Sequence, residues 1–350
     1  MAIPRSFSSL LLTLVSCGLM LLASRPAKST VAVRSLPNRE PVLAREPATK
    51  QTRCELVTAA RQPHGFYRSD VWPKGEVVLT FDDGPHPSHT PKVLDLLRKH
   101  RLPATFFLVG ANIRAKTSGL VKRMLAEGHS IGSHSYNHDV GMAVRNHGER
   151  SVEYIRGQHE VTQILIELAL LAESEADFDR MFVRVFAKQG GTYLAASSIR
   201  KDWPVFAERH ARLLAERGYS GGRRPHPVVF SRPPAGTPYV GGSSAAQKKL
   251  YGSALQRLGW LNVMWHGESG DTHPARKHDA GFLTTNLEYH SRRGGIILIH
   301  DYIRRGALAR SLQAMASDQA IKIVPLESAV ERKFQCGSHE VRAELQREPG

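Results

Sequence analysis

The chain has 350 residues, 41% hydrophobic and 23% charged, which excludes a fibrous, collagen-like or low-complexity protein and allows a sizeable globular core. Its formal net charge of +16, carried mostly by arginine, favours anionic surroundings such as acidic polymers, phospholipid headgroups or nucleic acid. Nucleic acid is set aside as a partner, because no lysine-rich tail, zinc-finger spacing or aromatic-basic interleaving accompanies the charge.

The N-terminus reads as an export signal over residues 1–24. Arg5 precedes an apolar run from Leu10 to Ala23 that ends in small residues, and cleavage is expected near Ala23 or Ala27. The run is too short for a membrane span, which needs about 20 residues. Two rivals remain: Leu14-Val15-Ser16-Cys17 fits a lipoprotein box, although the apolar run continues past Cys17, and Arg25 with Lys28 fits an uncleaved anchor. The expected location is the periplasm or cell envelope, or outside the cell, with membrane contact only through this segment. Once Cys17 leaves with the signal, Cys54 and Cys336 remain, either as one disulfide across the flanks of the domain or as two free thiols.

Residues 25–70 are rich in Pro, Arg and small residues and read as a linker or loose segment. Periodic structure follows. Glu76 to Phe81 reads as a strand, and Thr90-Pro91 opens a helix that reaches His100. Ala104 to Gly110 is a second strand, Gly119 to Glu127 a helix stopped by Gly128, and Ser130 to Ser135 a short strand. Val144 to Leu171 has the pattern of a long amphipathic helix. Another helix is expected to begin at Asp202 and end at Gly218, so residues 145–225 read as an insertion. Further strands are expected at Leu261–Trp265, Gly295–His300 and Ile321–Pro325, with helices around Leu283–Arg292 and Ala307–Met315. Alternating strands and helices predict an α/β domain with a parallel sheet over 71–335, followed by a tail over 336–350.

Two features carry chemistry. Asp82 and Asp83 end the first strand at the turn Asp-Asp-Gly-Pro, where one carboxylate can bind a metal while its neighbour handles a proton. As a bare turn the same residues are ordinary. His134 and His138 stand four residues apart, a spacing that brings both rings to one ion on a helical turn. With 17 histidines in the chain, one such pair is close to chance expectation, so the pair gains weight only beside the acids. Two histidines and one aspartate leave open positions for water and substrate, as catalytic zinc sites do.

The run Thr80-Phe81-Asp82-Asp83-Gly84-Pro85, followed by His134-Ser135-x-x-His138, resembles the polysaccharide deacetylases, the NodB-like carbohydrate esterase family 4. Three further motifs appear in order: Arg232-Pro233-Pro234-Ala235-Gly236, Trp265 to Asp271, and Leu298-Ile299-His300-Asp301. The resemblance covers about Glu76 to Val330. It implies a distorted TIM-like (β/α) barrel of the NodB type, with the insertion between the second and third motifs and the site at the C-terminal ends of the strands.

It also implies residue roles. Asp83, His134 and His138 would hold a divalent metal, zinc by default, with cobalt or nickel able to substitute. Asp82 would be the general base and His300 the general acid, with Asp271 orienting His300 and Arg232 holding Asp82 ionised. The N–H of Ala235 would stabilise the oxyanion, and Leu298 would line the pocket for the acetyl methyl. The implied substrate is a GlcNAc- or MurNAc-containing envelope polysaccharide, peptidoglycan first, then chitooligosaccharides or poly-GlcNAc. An O-acetyl esterase or a non-sugar amidase could use the same metal chemistry.

Three departures stand out. Ala235 replaces the family's usual aromatic residue, Thr272 follows the acid of the fourth motif in place of tryptophan, and 93 residues separate His138 from Arg232. The first two motivate a different class of reading, a sugar-binding pseudoenzyme on the same fold. Arg184 is a rival to Arg232 but lacks the following prolines and glycine.

Overall fold

Residues Glu76–Asp82 form a strand, β2, whose side chains divide between two apolar clusters. Val77, Leu79 and Phe81 join one with the helices, while Val78 joins the other with Phe107, Phe230, Val263, Ile296 and Leu298. A strand buried on both faces belongs in a parallel α/β sheet covered by helices outside and filled by side chains inside. The alternation sends Thr80 and Asp82 inward with Val78. The structure, a computed structural model, describes Cys54 and residues 64–145 and 147–347. The expected signal segment, Cys17 and most of residues 25–63 lie outside the described residues.

In chain order the elements begin with β1 (Gly65–Phe66), β2, α1 (Thr90–His100), β3 (Thr105–Leu108), α2 (Ala115–Ala126) and β4 (Ser130–Ser133). Three helices follow: α3 (Glu149–Leu171), α4 (Glu175–Phe186) and α5 (Ala196–Glu216). Then come β5 (Phe230–Ser231), α6 (Ala245–Leu258), β6 (Leu261–Val263) and β7 (Gly267–Glu268). The last elements are α7 (Ala280–Arg293), β8 (Gly295–His300), α8 (Arg305–Ser317), β9 (Lys322–Ile323), α9 (Leu326–Phe334) and α10 (Ser338–Leu345). Every pairing is parallel, in the order β1-β6-β5-β4-β3-β2-β8-β7, with β9 also against β2. The edge strands β1 and β7 do not pair with each other, so the (β/α) barrel is distorted and incompletely closed.

Several boundaries differ from the sequence expectation. Residues 64–70, assigned to a loose segment, contain β1, which pairs with β6 and buries Phe66. The tail at 336–350 contains α10, whose Val341 and Leu345 pack into the inner apolar cluster. The expected insertion at 145–225 is only partly extra. Its first helix, α3, is the crossover between β4 and β5 and is buried from Ser151 to Ala169 at all but Glu153, Arg156 and Glu160. Such burial on nearly all sides arises because α5 and α4 cover α3 from outside. Helix α5 starts at Ala196 rather than Asp202 and carries Pro204 in its interior. Helix α6 had no counterpart in the sequence reading. No helix among the described residues is long and apolar enough to cross a membrane.

The two ends of the barrel differ in chemistry. At the strand starts, α9 and α10 form a polar clamp: Arg332 pairs with Glu76, Lys333 Nζ donates to Gly65 O at 2.6 Å, and Arg342 donates to Val228 O at 3.1 Å. Cys54 and Cys336 form a disulfide with a sequence separation of 282. By the chain-entropy relation a loop of that length is worth roughly 5 kcal/mol. Replacing Cys336 by serine should therefore lower unfolding free energy by up to about 5 kcal/mol, read from denaturant midpoints with and without reductant.

The helical layer holds a buried ionisable pair. Glu167 on α3 lies 3.4 Å from His210 Nε2 on α5, and Arg224 is 3.8 Å away. Burial raises the Glu167 pKa to about 7 against the opposing pull of Arg224. A carboxyl raised on folding contributes stability below its unfolded pKa and loses it as pH rises through the folded value. Glu167→Gln should thus gain melting temperature relative to the parent chain as pH climbs from about 4.5 to above 7. A pH-independent difference in melting temperature would remove Glu167 from this role.

Candidate active site

Parallel register builds the site at the opposite end, where the strands finish. Asp82 lies directly beside His300 across β2 and β8, and Ser133 beside Ser231 across β4 and β5. The next residues, His134 and Arg232, therefore emerge side by side. Asp82, His134, Arg232, Asp271 and His300 are all buried, with exposures of 8% or less. The third-motif rival Arg184 sits on α4 and pairs with Glu216 at the surface.

Arg232 is completely buried. One terminal nitrogen donates to Asp82 Oδ1 at 2.7 Å and to Thr80 Oγ1 at 2.8 Å, and Nε donates to Val263 O at 2.8 Å. Its guanidinium carbon lies 4.2 Å from the centre of the Phe107 ring and 5.7 Å from that of Trp265. Phe107 leaves room in the neighbouring strand only for glycine, because a Cβ on Gly132 would fall 2.6 Å from the ring. Burial pushes the Asp82 pKa up, while Arg232 and His300 oppose that shift.

Asp83, His134 and His138 place one donor atom each within 4.8 Å of one another. Asp83 Oδ1 is 3.4 Å from His138 Nε2 and 3.7 Å from His134 Nε2, and it is a buried oxygen without a hydrogen-bond donor. Burial drops the His134 pKa to about 3, so the ring is neutral. Its Nδ1–H donates to Arg232 O at 2.8 Å, which leaves the Nε2 lone pair facing Asp83 and His138. An orphaned carboxylate oxygen beside a neutral imidazole with a fixed tautomer fits a divalent cation. Asp83, Ser135 and His138 all adopt left-handed backbone (φ 74°, 68° and 54°), a cost of about 1 kcal/mol or more each that surrounding contacts must sustain.

His300 is held by both oxygens of Asp271. Its Nδ1–H donates to Oδ1 at 2.8 Å and its backbone N–H to Oδ2 at 2.7 Å. Burial works against the imidazolium, but the bond and charge of Asp271, with Asp82 and Asp83, more than offset it and raise the pKa to about 9. Nε2 is left 3.9 Å from Asp83 Oδ2, and Tyr302 stacks on the ring at 5.0 Å. Leu298 lies inward on β8, two residues before His300 and beside Thr80. Ala235 occupies a tight turn after β5 with left-handed φ of 52°, next to Gly236, where any side chain would meet Trp265, Val240 and Met264. His86, His89, His266 and His273 stay outside this cluster. His86 Nδ1 and His273 Nδ1 accept backbone N–H groups of their own turns, and His266 accepts from Ile296 N–H.

Residues that the sequence reading did not single out hold the loop that carries His134 and His138. Gln158 Oε1 on α3 accepts from the N–H groups of Tyr136 and Asn137 at 2.9 and 3.2 Å, between the two histidines. Its Nε2 donates to Tyr154 Oη, which in turn donates to Asp139 Oδ2, the residue after His138. His159 links Ser133 Oγ at 2.9 Å to Tyr251 Oη at 3.3 Å, and Tyr251 reaches Ser231. On the other flank Asp301 accepts from Thr90 Oγ1, and Asn112 Nδ2 donates to Asp83 O at 2.8 Å. The four-residue spacing of Tyr154 and Gln158 was the available signal, but on a helix it reads first as a solvated polar face.

Comparison with known proteins falls on the same residues. The family model described as Polysaccharide deacetylase matches residues 69–170, which include Asp82, Asp83, His134 and His138. This stretch, less than half of the chain, is what resembles the polysaccharide deacetylase family. Over 85 residues the chain is 47% identical to a peptidoglycan-N-acetylglucosamine deacetylase of Bacillus cereus, covering 24% of this chain and 39% of that protein. Over 77 residues it is 48% identical to a chitooligosaccharide deacetylase of Sinorhizobium fredii, covering 22% and 35%. The chain thus spans less than two-fifths of either relative. Among solved structures, peptidoglycan deacetylase PdaC from Bacillus subtilis covers 78% of this chain and 96% of its own at 21% identity and a TM-score of 0.46. A Bacillus anthracis protein described as a CE4 family pseudoenzyme covers 74% and 66% at 18% identity and a TM-score of 0.45.

Gln158→Met keeps the volume but removes the acceptor for two N–H groups of the loop between His134 and His138. Metal affinity should fall about 10- to 100-fold, measured by competition with a chelating dye, while the far-ultraviolet dichroism stays that of the parent. Unchanged affinity would reduce Gln158 to a packing residue.

Proposed function

We propose that this protein is an exported, metal-dependent N-deacetylase acting on acetamido groups of a GlcNAc- or MurNAc-containing envelope polysaccharide, peptidoglycan first. One observation carries the reading: a three-donor cation site, a buried carboxylate and a carboxylate-held imidazole meet at one end of the barrel. A surface turn would need none of the three. The matched relatives act on peptidoglycan and chitooligosaccharide by name, and the +16 charge favours the acidic polymer.

Asp83, His134 and His138 would hold the ion, and two imidazoles with one carboxylate suit zinc. When bound there, such an ion would supply Lewis acidity toward the acetamide carbonyl and the attacking water. Asp82, aligned by Arg232, takes a proton from water as the water oxygen bonds to the carbonyl carbon. The N–H of Ala235 would stabilise the oxygen that gains charge, and Leu298 would line the pocket for the methyl. His300 then gives its Nε2 proton to the nitrogen as the carbon–nitrogen bond breaks, releasing acetate and a free amine. Asp271 keeps Nδ1 protonated so that Nε2 is the donating position.

Acetate release from peptidoglycan and chitooligosaccharides should require metal and stop with chelator. Asp82→Asn should lower kcat by about 10²- to 10⁴-fold, and His138→Ala should lose metal as well as activity. Full turnover by Asp82→Asn would overturn the mechanism. Tight glycan binding with no acetate released by the parent chain would identify a sugar-binding pseudoenzyme.

A further inference from the structure

Beyond His138 the chain enters a cavity of about 170 Å³ lined by Met142, Arg145, His147, Arg150, Ser151, Tyr154 and Arg200. Three of these residues are arginines, one is histidine, and none is acidic. They come from three places: the loop after β4, the first turns of α3, and the start of α5. The last belongs to the layer outside the crossover helix, so the cavity exists only because α5 packs there.

The arginines are not equivalent. Arg145 pairs with Asp139, whose carboxylate also accepts from Tyr154 Oη at 2.9 Å and from Gly141 N–H at 2.9 Å. Arg150 and Arg200 have no carboxylate partner among the described residues, and the Arg200 guanidinium lies 5.0 Å from the centre of the Tyr154 ring. Two guanidinium groups without a carboxylate partner thus line a cleft with an aromatic wall and a buried Met142 floor, while the Ser151 hydroxyl is engaged by Arg145 O and His147 N–H. Arginine in this setting recognises carboxylate or phosphate through paired hydrogen bonds. The volume is below the roughly 300–1,000 Å³ of sites that enclose a whole small ligand, and suits a pendant acidic group.

The cavity is linked to the proposed metal centre through its lining residue Tyr154. Asp139, held by Arg145 and Tyr154, directly follows the ligand His138, and Tyr154 hydrogen-bonds to Gln158 of the same loop clamp. We infer that this cavity is an anion subsite that takes a carboxylate carried by the glycan strand, one step along the polymer from the acetamido group being hydrolysed. The inference rests on the deacetylase reading for the polymer, but not for the binding itself. It makes acidic N-acetylglycan the preferred substrate class over neutral chitin-like chains.

The test uses the full chain stripped of metal, so that nothing turns over, and a soluble uncrosslinked peptidoglycan fragment as probe. The same fragment with its carboxylates amidated, and chitotetraose, serve as neutral counterparts. The acidic fragment should bind at least tenfold tighter than its amidated form at low salt, and the difference should shrink as ionic strength rises. Arg150→Gln/Arg200→Gln, at exposed positions, should erase that preference and, with metal restored, raise KM for the acidic glycan more than for chitotetraose. A fragment stripped of stem peptide retains the lactyl carboxylate; kept preference assigns the subsite to that group, and lost preference to the stem. Equal binding of acidic and amidated fragments, or an undiminished preference in the double variant, would overturn the subsite. Carboxylate-dependent binding by a chain that releases no acetate would leave the subsite standing and remove the catalytic reading.

Discussion

The site is organised around one buried cation. Arg232 sits inside the barrel with no solvent contact, and its stability there depends on Asp82, Thr80, the carbonyl of Val263 and the face of Phe107. Removing one partner of such a pair leaves an uncompensated buried charge, worth about 3–5 kcal/mol. The same residue's backbone oxygen fixes the tautomer of His134. Arg232 therefore ties β2, β4, β5 and β6 together and sets both the carboxylate and a cation donor. These polar contacts lie toward the end where the strands finish.

Around that centre the backbone is held in conformations it would not choose. Left-handed φ values at Asp83, Ser135 and His138 persist because neighbouring elements bind the loop on both sides. Asn112 holds the carbonyl of Asp83, and the N–H groups of Gly110 and Ala111 reach Ser135 O and Tyr136 O. Gln158 accepts from the next two N–H groups. The long helix α3 is thus part of the site's support. Of its buried polar residues, Gln158, His159 and Gln163 satisfy backbone or side-chain groups near β4 or β5.

The other end of the barrel is built for closure. There α9 and α10 fill the interior with Phe334, Val341 and Leu345, and basic side chains bind the strand starts. The disulfide joins this end to the segment before β1. One end is stapled and plugged, the other carries the candidate site, which is the usual division of labour in a (β/α) barrel.

The amino-acid sequence by itself determined the donor types and their place at strand ends. Asp82-Asp83 before Gly-Pro, two histidines four apart and His300 closing an apolar run are local patterns, and local patterns are set by turn chemistry and strand period. It also identified Asp271 and Arg232, through motif order rather than through any local physics. Tertiary structure alone decided that Arg232 is fully buried, that Asp271 grips His300 with both oxygens, and that Gln158 and Tyr154 face the loop of His134 and His138 instead of water. It likewise decided that β1 and α10 belong to the barrel, and that Arg150 and Arg200 meet across a cleft. Each of these depends on register and packing between segments tens to hundreds of residues apart, and a buried polar side chain looks like an exposed one until its neighbours are in place.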